Sequence, residues 1–147
     1  MATIYIITDG SYSDYHIVTV FSTRELAEKF IALYPDMNDD NIEEYELDKF
    51  ETQLKDGLLL YNVSMYRDGE TRNVDMGTMD NDTDTQKNTM FREWNTVTWF
   101  MSCNMFATDE QHAVKIANER RTAFIASGEW DRKVKEWEDR KAAKHSR

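Results

Sequence analysis

The sequence predicts an α+β fold, a mixed or antiparallel sheet covered by two helices, with a further helix at the C-terminal end. Three observations carry this. β-Branched and aromatic runs with strand-like alternation recur in both halves of the chain, beginning near Thr3, Tyr15, Leu59 and Val97. Two of them run straight into a hydroxyl residue followed by acids and then a helical apolar pattern. The third is size: 147 residues with 40% apolar and 12% aromatic content supply a core for one ordinary domain, or for two very small ones. One compact domain is expected, built from a ββαβ unit over residues 1–50 and a hairpin, a long strand and C-terminal helices over residues 57–147.

The elements follow in order. Thr3 to Thr8 is a buried-type strand. Asp9, Gly10, Ser11 and Ser13 supply turn chemistry, and Tyr15, Ile17, Thr19 and Phe21 then alternate with His16, Val18 and Val20, so a β-hairpin is predicted. Ser22 with Glu25 reads as a capping box that opens a helix, with Leu26, Ala27, Phe30, Ile31 and Leu33 or Tyr34 on its apolar face and Pro35 as its stop. "NIEEYELD" follows as an edge strand whose acids deter pairing with another molecule.

In the second half Leu59, Tyr61, Val63 and Met65 share one strand face, and Asp68-Gly69 makes a tight hairpin. Residues 77–93 show no period and read as a loop. Val97, Trp99, Met101, Cys103 and Met105 then alternate with Thr98, Phe100, Ser102 and Asn104 as a strong strand. Thr108 with Gln111 opens a longer helix through Ala113, Ile116, Ala117, Phe124 and Ile125. Setting this junction over the first places Ala27 on Ala113, Lys29 on Lys115 and Phe30 on Ile116. A degenerate ββα repeat and convergence on shared junction chemistry both account for the pairing.

After Gly128, a natural helix stop, Trp130, Val134 and Trp137 fall on one face of a last helix. That tail carries seven Lys or Arg against five Asp or Glu, making it the basic patch of an acidic chain. Its two tryptophans either pack the tail onto the body or form a partner-binding face.

Charge and cysteine content bound the function. With 28 acidic and 18 basic residues the net charge is −10, which repels phosphate backbones and anionic membranes, so direct nucleic-acid or membrane binding is not expected. The single cysteine, Cys103, forms no internal disulfide, and "MATIYIITDG" lacks a basic flank followed by a long apolar stretch; a cytoplasmic protein is expected.

The segments "YIITDGSYSDYHIVTVFSTRELAEKFIALYPD" and "IEEYELD" resemble a family of small uncharacterised bacteriophage and prophage proteins. Its pattern is a strand, a Gly-Ser-Tyr-Ser-Asp-Tyr turn, a second strand, a helix and an acidic strand. The resemblance spans the first third to half of the chain. It implies a phage origin and transfers no activity to any residue.

Spacing bounds the candidate chemistries. Asp9, Ser11, Tyr12, Ser13, Asp14, Tyr15 and His16 bring acids, hydroxyls and an imidazole together, but neighbours in a hairpin alternate in direction, so a structural turn is expected. "DNDTD" at 80–84 begins like a calcium loop, then has Thr85 where the glycine belongs and Phe91 where the bidentate glutamate belongs. His16, His112 and His145 are scattered, and no glycine-rich phosphate loop occurs. No catalytic residue, cofactor or metal is expected, and the protein reads as a non-enzyme.

Residues 36–56 hold nine acids and two lysines. Together with the resemblance, this gives the leading expectation: a non-catalytic phage accessory protein that binds and blocks a host or defence protein, such as a nucleic-acid-handling one, through an acidic surface. The candidate partner-binding residues are Asp39, Asp40, Glu43, Glu44, Glu46, Trp130 and Trp137. A virion or assembly component contacting other phage proteins, and an enzyme of unrecognised type, are the alternatives.

Overall fold

The computed structural model describes residues 2–146, and the fold is α+β with two antiparallel sheets. The chain divides into two compact units between Lys49 and Phe50.

The first unit holds β1 (Thr3–Asp9), β2 (His16–Phe21), helix α1 (Arg24–Ile31) and β3 (Ile42–Glu46). Its sheet order is β2-β1-β3, so β1 is central and the acidic β3 is an edge, as its composition predicts. The hairpin turn is a short 3-10 segment over Tyr12–Asp14. Ile7 pairs with Thr19 while Thr8 pairs with Ile17, which leaves Val18 as an extra residue and puts a bulge in β2. Alternation along β1 sends Ile7 toward α1, where it is buried with Ala27 and Ile31 among Tyr5, Phe21, Phe30, Met37 and Ile42.

The cap of α1 is Thr23, one residue later than expected: its Oγ1 accepts from the Leu26 amide at 3.3 Å. A cap is the last extended residue before the helix, and Thr23, at φ −134° and ψ 148°, is that residue. The helix also ends earlier than Pro35 requires. Leu33 and Tyr34 form a tight turn and are exposed instead of continuing the apolar face. Asn41 ties the approach to β3 back to β1, since its Nδ2 donates to the Thr8 carbonyl at 2.9 Å.

The second unit contains α2 (Glu51–Lys55), β4 (Leu59–Tyr66), β5 (Thr71–Met76), β6 (Asn88–Arg92), β7 (Trp99–Ala107), α3 (Glu110–Ala126) and α4 (Glu129–His145). The sheet order is β5-β4-β7-β6. The strand β6 lies inside the stretch expected to be a loop. Its two apolar residues, Met90 and Phe91, are adjacent and show no period, and pairing with β7, Met90 opposite Met101, orders the segment. The short helix α2 also went unread, being too brief to show a period.

Tyr61, Val63 and Met65 of β4 and Met101, Cys103 and Met105 of β7 form the buried face of this sheet. Helix α3 lies on it with Ala113 and Ala117 fully buried, small side chains that let the helix approach closely. The α3 cap is Asp109, again one residue beyond the expected Thr108; its Oδ1 accepts from the His112 amide at 2.8 Å. Thr23 and Asp109 are therefore equivalent under the same offset that sets Ala27 over Ala113, and both alanines are fully buried. Gly128, at φ +81°, closes α3 in the left-handed conformation and lets α4 begin.

Gly10 is the tightest backbone position: its φ is +82°, and an added Cβ would stand 2.2 Å from the Asp14 carbonyl oxygen. Gly10→Ala is expected to destabilise the first unit by about 3 kcal/mol, the sum of backbone strain and overlap. Gly57→Ala, left-handed but in open space, should cost about 1 kcal/mol. Urea titrations read through the β1 and β2 amides and through the β4 amides, respectively, check the contrast; equal losses would contradict it.

Candidate functional site

The acidic candidates lie along the open side of β3 and the turn before it. Strand periodicity splits them. Glu43 stands opposite Ile6 and Glu44 opposite Tyr5, so their side chains leave opposite faces of the sheet. Glu43 accepts from the Tyr15 phenol at 2.7 Å and from the Tyr45 phenol at 3.3 Å. That bond to Glu43 is the main reason the Tyr15 phenol is pushed above its ordinary value, since ionising it would set two anions together. Glu44 meets Arg24 at 2.6 Å, and the same guanidinium reaches Glu28 at 3.0 Å. Asp39 and Asp40 are exposed on the 3-10 turn that Asn38 caps. Glu46 ends the strand opposite Thr3. The run of acids is thus a rim around a sheet edge, with Glu44 compensated by Arg24 and the two aspartates projecting freely, and not one flat patch.

The 9–16 segment is held by its own bonds. Asp9 Oδ1 accepts from the Gly10 amide at 2.9 Å, and His16 Nδ1 lies 2.8 Å from the Asp14 carbonyl. Tyr12 is 99% exposed. These are turn contacts, with the side chains satisfying neighbouring backbone. In "DNDTD", Asp80 accepts from the Asp82 amide and Asp84 from the Gln86 amide, so both carboxylates serve as turn caps. Among the described residues no group of three or more His, Cys, Asp or Glu is placed to hold a metal ion.

The C-terminal tryptophans part company. Trp130 is 3% exposed and packs edge-on against Phe124, so most of its ring fills the core of the second unit. Trp137 is half-buried and stands edge-to-face on Trp99 at 5.4 Å. The Arg92 guanidinium lies 4.6 Å from the Trp137 ring centre and the Lys141 ammonium 5.1 Å from it. Val97 and Trp99 separate two clefts beside α4. One, of about 680 Å³, is lined by Tyr66, Arg67, Asp68, Trp130 and Asp131 among others; the second, of about 370 Å³, by Arg92, Trp137, Lys141 and His145. Trp94 and Val97, at 87% and 85% exposure, crown the turn between β6 and β7.

Sequence reasoning missed Arg92, Trp94, Val97 and Trp99 as site residues, because pairing of β6 with β7 creates the turn that gathers them. The one usable signal was the placing of Trp94 and Trp99 on either side of Asn95, Thr96, Val97 and Thr98, a short turn-forming stretch.

Beside this region Glu93 accepts from Tyr66 at 2.9 Å and pairs with Arg72. The Arg72 bond first, and the Tyr66 bond second, hold its carboxyl below the ordinary glutamate range. Burial pushes the Cys103 thiol up, an effect Arg120 only partly offsets, so the thiol stays protonated and unreactive at neutral pH.

Residues 2–59 match the family described as a domain of unknown function, DUF7336. This covers the whole β1–β3 unit and less than half of the chain. No curated protein and no solved structure matches the chain.

Two expectations follow from this geometry. Trp130→Ala should cost about 3–5 kcal/mol, as for a buried aromatic, while Trp137→Ala costs less. Denaturant titration followed by circular dichroism checks the order, and a reversed order would contradict the packing described. Glu93 has a depressed pKa, so its contribution to stability is present above the unfolded value of about 4.3 and is lost as pH falls through the lower folded value. Glu93→Gln should therefore flatten the acid limb of the urea midpoint against pH below about pH 5; an unchanged limb would assign acid sensitivity to other carboxylates.

Proposed function

We propose that the protein is a non-catalytic binding protein whose acidic β3 rim engages a basic surface on a partner and occludes it. The observation that carries this reading is the open outer side of β3, where Glu43 is held by two phenols and Glu44 by Arg24 while Asp39 and Asp40 project into solvent. A rim held in place by the fold costs less ordering on association than flexible acids would. The partner chemistry that fits is a cationic channel built for phosphates, as in a nucleic-acid-handling protein, met by steering and charge complementarity. The resemblance of the turn and its flanks to phage proteins supports a phage accessory role in an infected cell, with a host or defence protein as the target.

A second reading is favoured by the exposed Trp94 and Val97 beside Trp137: a virion or assembly component docking other phage proteins through that apolar crown.

Reversal of the projecting aspartates tests the first reading. Asp39→Lys with Asp40→Lys should leave stability within about 0.5 kcal/mol, since both side chains are exposed. Association with a partner captured from host lysate should slow by about tenfold or more, and wild-type association should weaken steeply between about 50 and 200 mM salt. Capture that ignores both charge and salt, and is lost instead in Trp94→Ala, would replace the acidic rim with the apolar crown.

A further inference from the structure

We propose that the groove between α4 and the turn joining β6 to β7 is a binding site for a small aromatic phosphate monoester, of which a mononucleotide is the simplest biological form. Two cations of this groove lack a carboxylate counter-ion among the described residues. On α4, Arg132 pairs with Glu129 and Glu136, and Lys135 pairs with Asp139. Lys141 pairs with no carboxylate among the described residues, nor does Arg92. Both are instead drawn over the one Trp137 ring, and both line the same groove. On a chain of net charge −10, two cations that outnumber the single acid of the groove, Glu138, leave a local positive potential that the surface as a whole opposes.

The elements that converge are fixed ones. Trp137, Lys141 and His145 recur at intervals of four and form one stripe of α4. Arg92 ends β6, and its Nε donates to the Thr96 carbonyl, which holds the guanidinium plane while leaving its terminal nitrogens without a hydrogen bond among the described residues. A planar fork beside a mobile ammonium is the donor pair suited to phosphate oxygens. Val97, Trp99 and Ala142 form the apolar part of the lining, and Glu138 is its one acid. Because Trp137 is already covered by the two cations and met edge-on by Trp99, a ligand ring would rest on the Val97, Trp99 and Ala142 wall and direct its phosphate at Arg92 and Lys141. The groove, about 370 Å³, is large enough for a ring and one phosphate. Two negative features face it, Glu138 and the carbonyl end of α4, and they set the direction of one test.

Titration of the intact chain with phenyl phosphate and with AMP, followed by tryptophan fluorescence and by calorimetry, decides the matter. Saturable one-to-one binding is expected, tighter by about tenfold than for inorganic phosphate or for benzyl alcohol. Lys141→Gln, an exposed substitution that breaks no hydrogen bond, should weaken phenyl phosphate by about fivefold with circular dichroism unchanged, and Glu138→Gln should tighten it. Arg67→Gln, in the neighbouring cleft, should leave it unaltered. No saturation by about 10 mM ligand at low salt would overturn the proposal. So would affinity no better than that of inorganic phosphate, binding to phosphate-bearing lipid vesicles alone, or indifference to Lys141→Gln.

Discussion

The antiparallel pairing of β4 with β7 is the constraint on which the second unit depends. It runs from Leu59 opposite Ala107 to Tyr66 opposite Phe100, so Tyr61 meets Met105, Val63 meets Cys103 and Met65 meets Met101 on a single face. Those six side chains are the floor on which α3 rests. Because side chains alternate along a strand, the same register sends Asn62, Ser102 and Asn104 to the other face, where Asn62 Nδ2 donates to Ser102 Oγ at 3.0 Å and to Asn104 Oδ1 at 2.9 Å. A slip of one residue would exchange the methionines with that amide ladder. Everything outward of the pair inherits its position: β5 and β6 as flanking strands, α4 through α3, and the tryptophans through both.

Much of this was legible from residues alone, for identifiable reasons. The alternation from Met101 to Met105 is complete, so β7 and its buried face could be read directly. The acidic run at 42–46 announced an edge, and β3 is one. The cap positions were off by a residue at both helix starts because two adjacent residues at each junction can accept an amide, and only backbone conformation decides between them. The strand β6 was hidden because its apolar residues are only the adjacent Met90 and Phe91, too few to show a period, and the segment is recruited by a neighbour.

The candidate sites were less legible than the fold. Five acids close in sequence predicted one surface, yet period-two geometry divides Glu43 from Glu44, and Arg24, distant in sequence, compensates one of them. Trp130 and Trp137 share a helix stripe, but α3 supplies Phe124 to bury the first while the second reaches Trp99 at the margin. Helical spacing fixes which residues share a face and says nothing about where the covering surface stops.

The bulge at Val18 has a consequence for how the first sheet coexists with other copies of itself at high concentration. Its two edges are defended by different means. β3 carries carboxylates, whereas β2 reads His-Ile-Val-Thr-Val-Phe, with no Asp, Glu, Lys or Arg, and exposes Ile17, Val18 and Val20. Such a strand is a template for fibrillar stacking when its outward amides form an unbroken row. The extra residue breaks that row midway, so an incoming strand that matches its first residues is out of step with the rest. Geometry at β2 thus does for solubility what charge does at β3, and a single-residue deletion there would straighten the edge into a seed for polymerisation while leaving the acids of β3 in place.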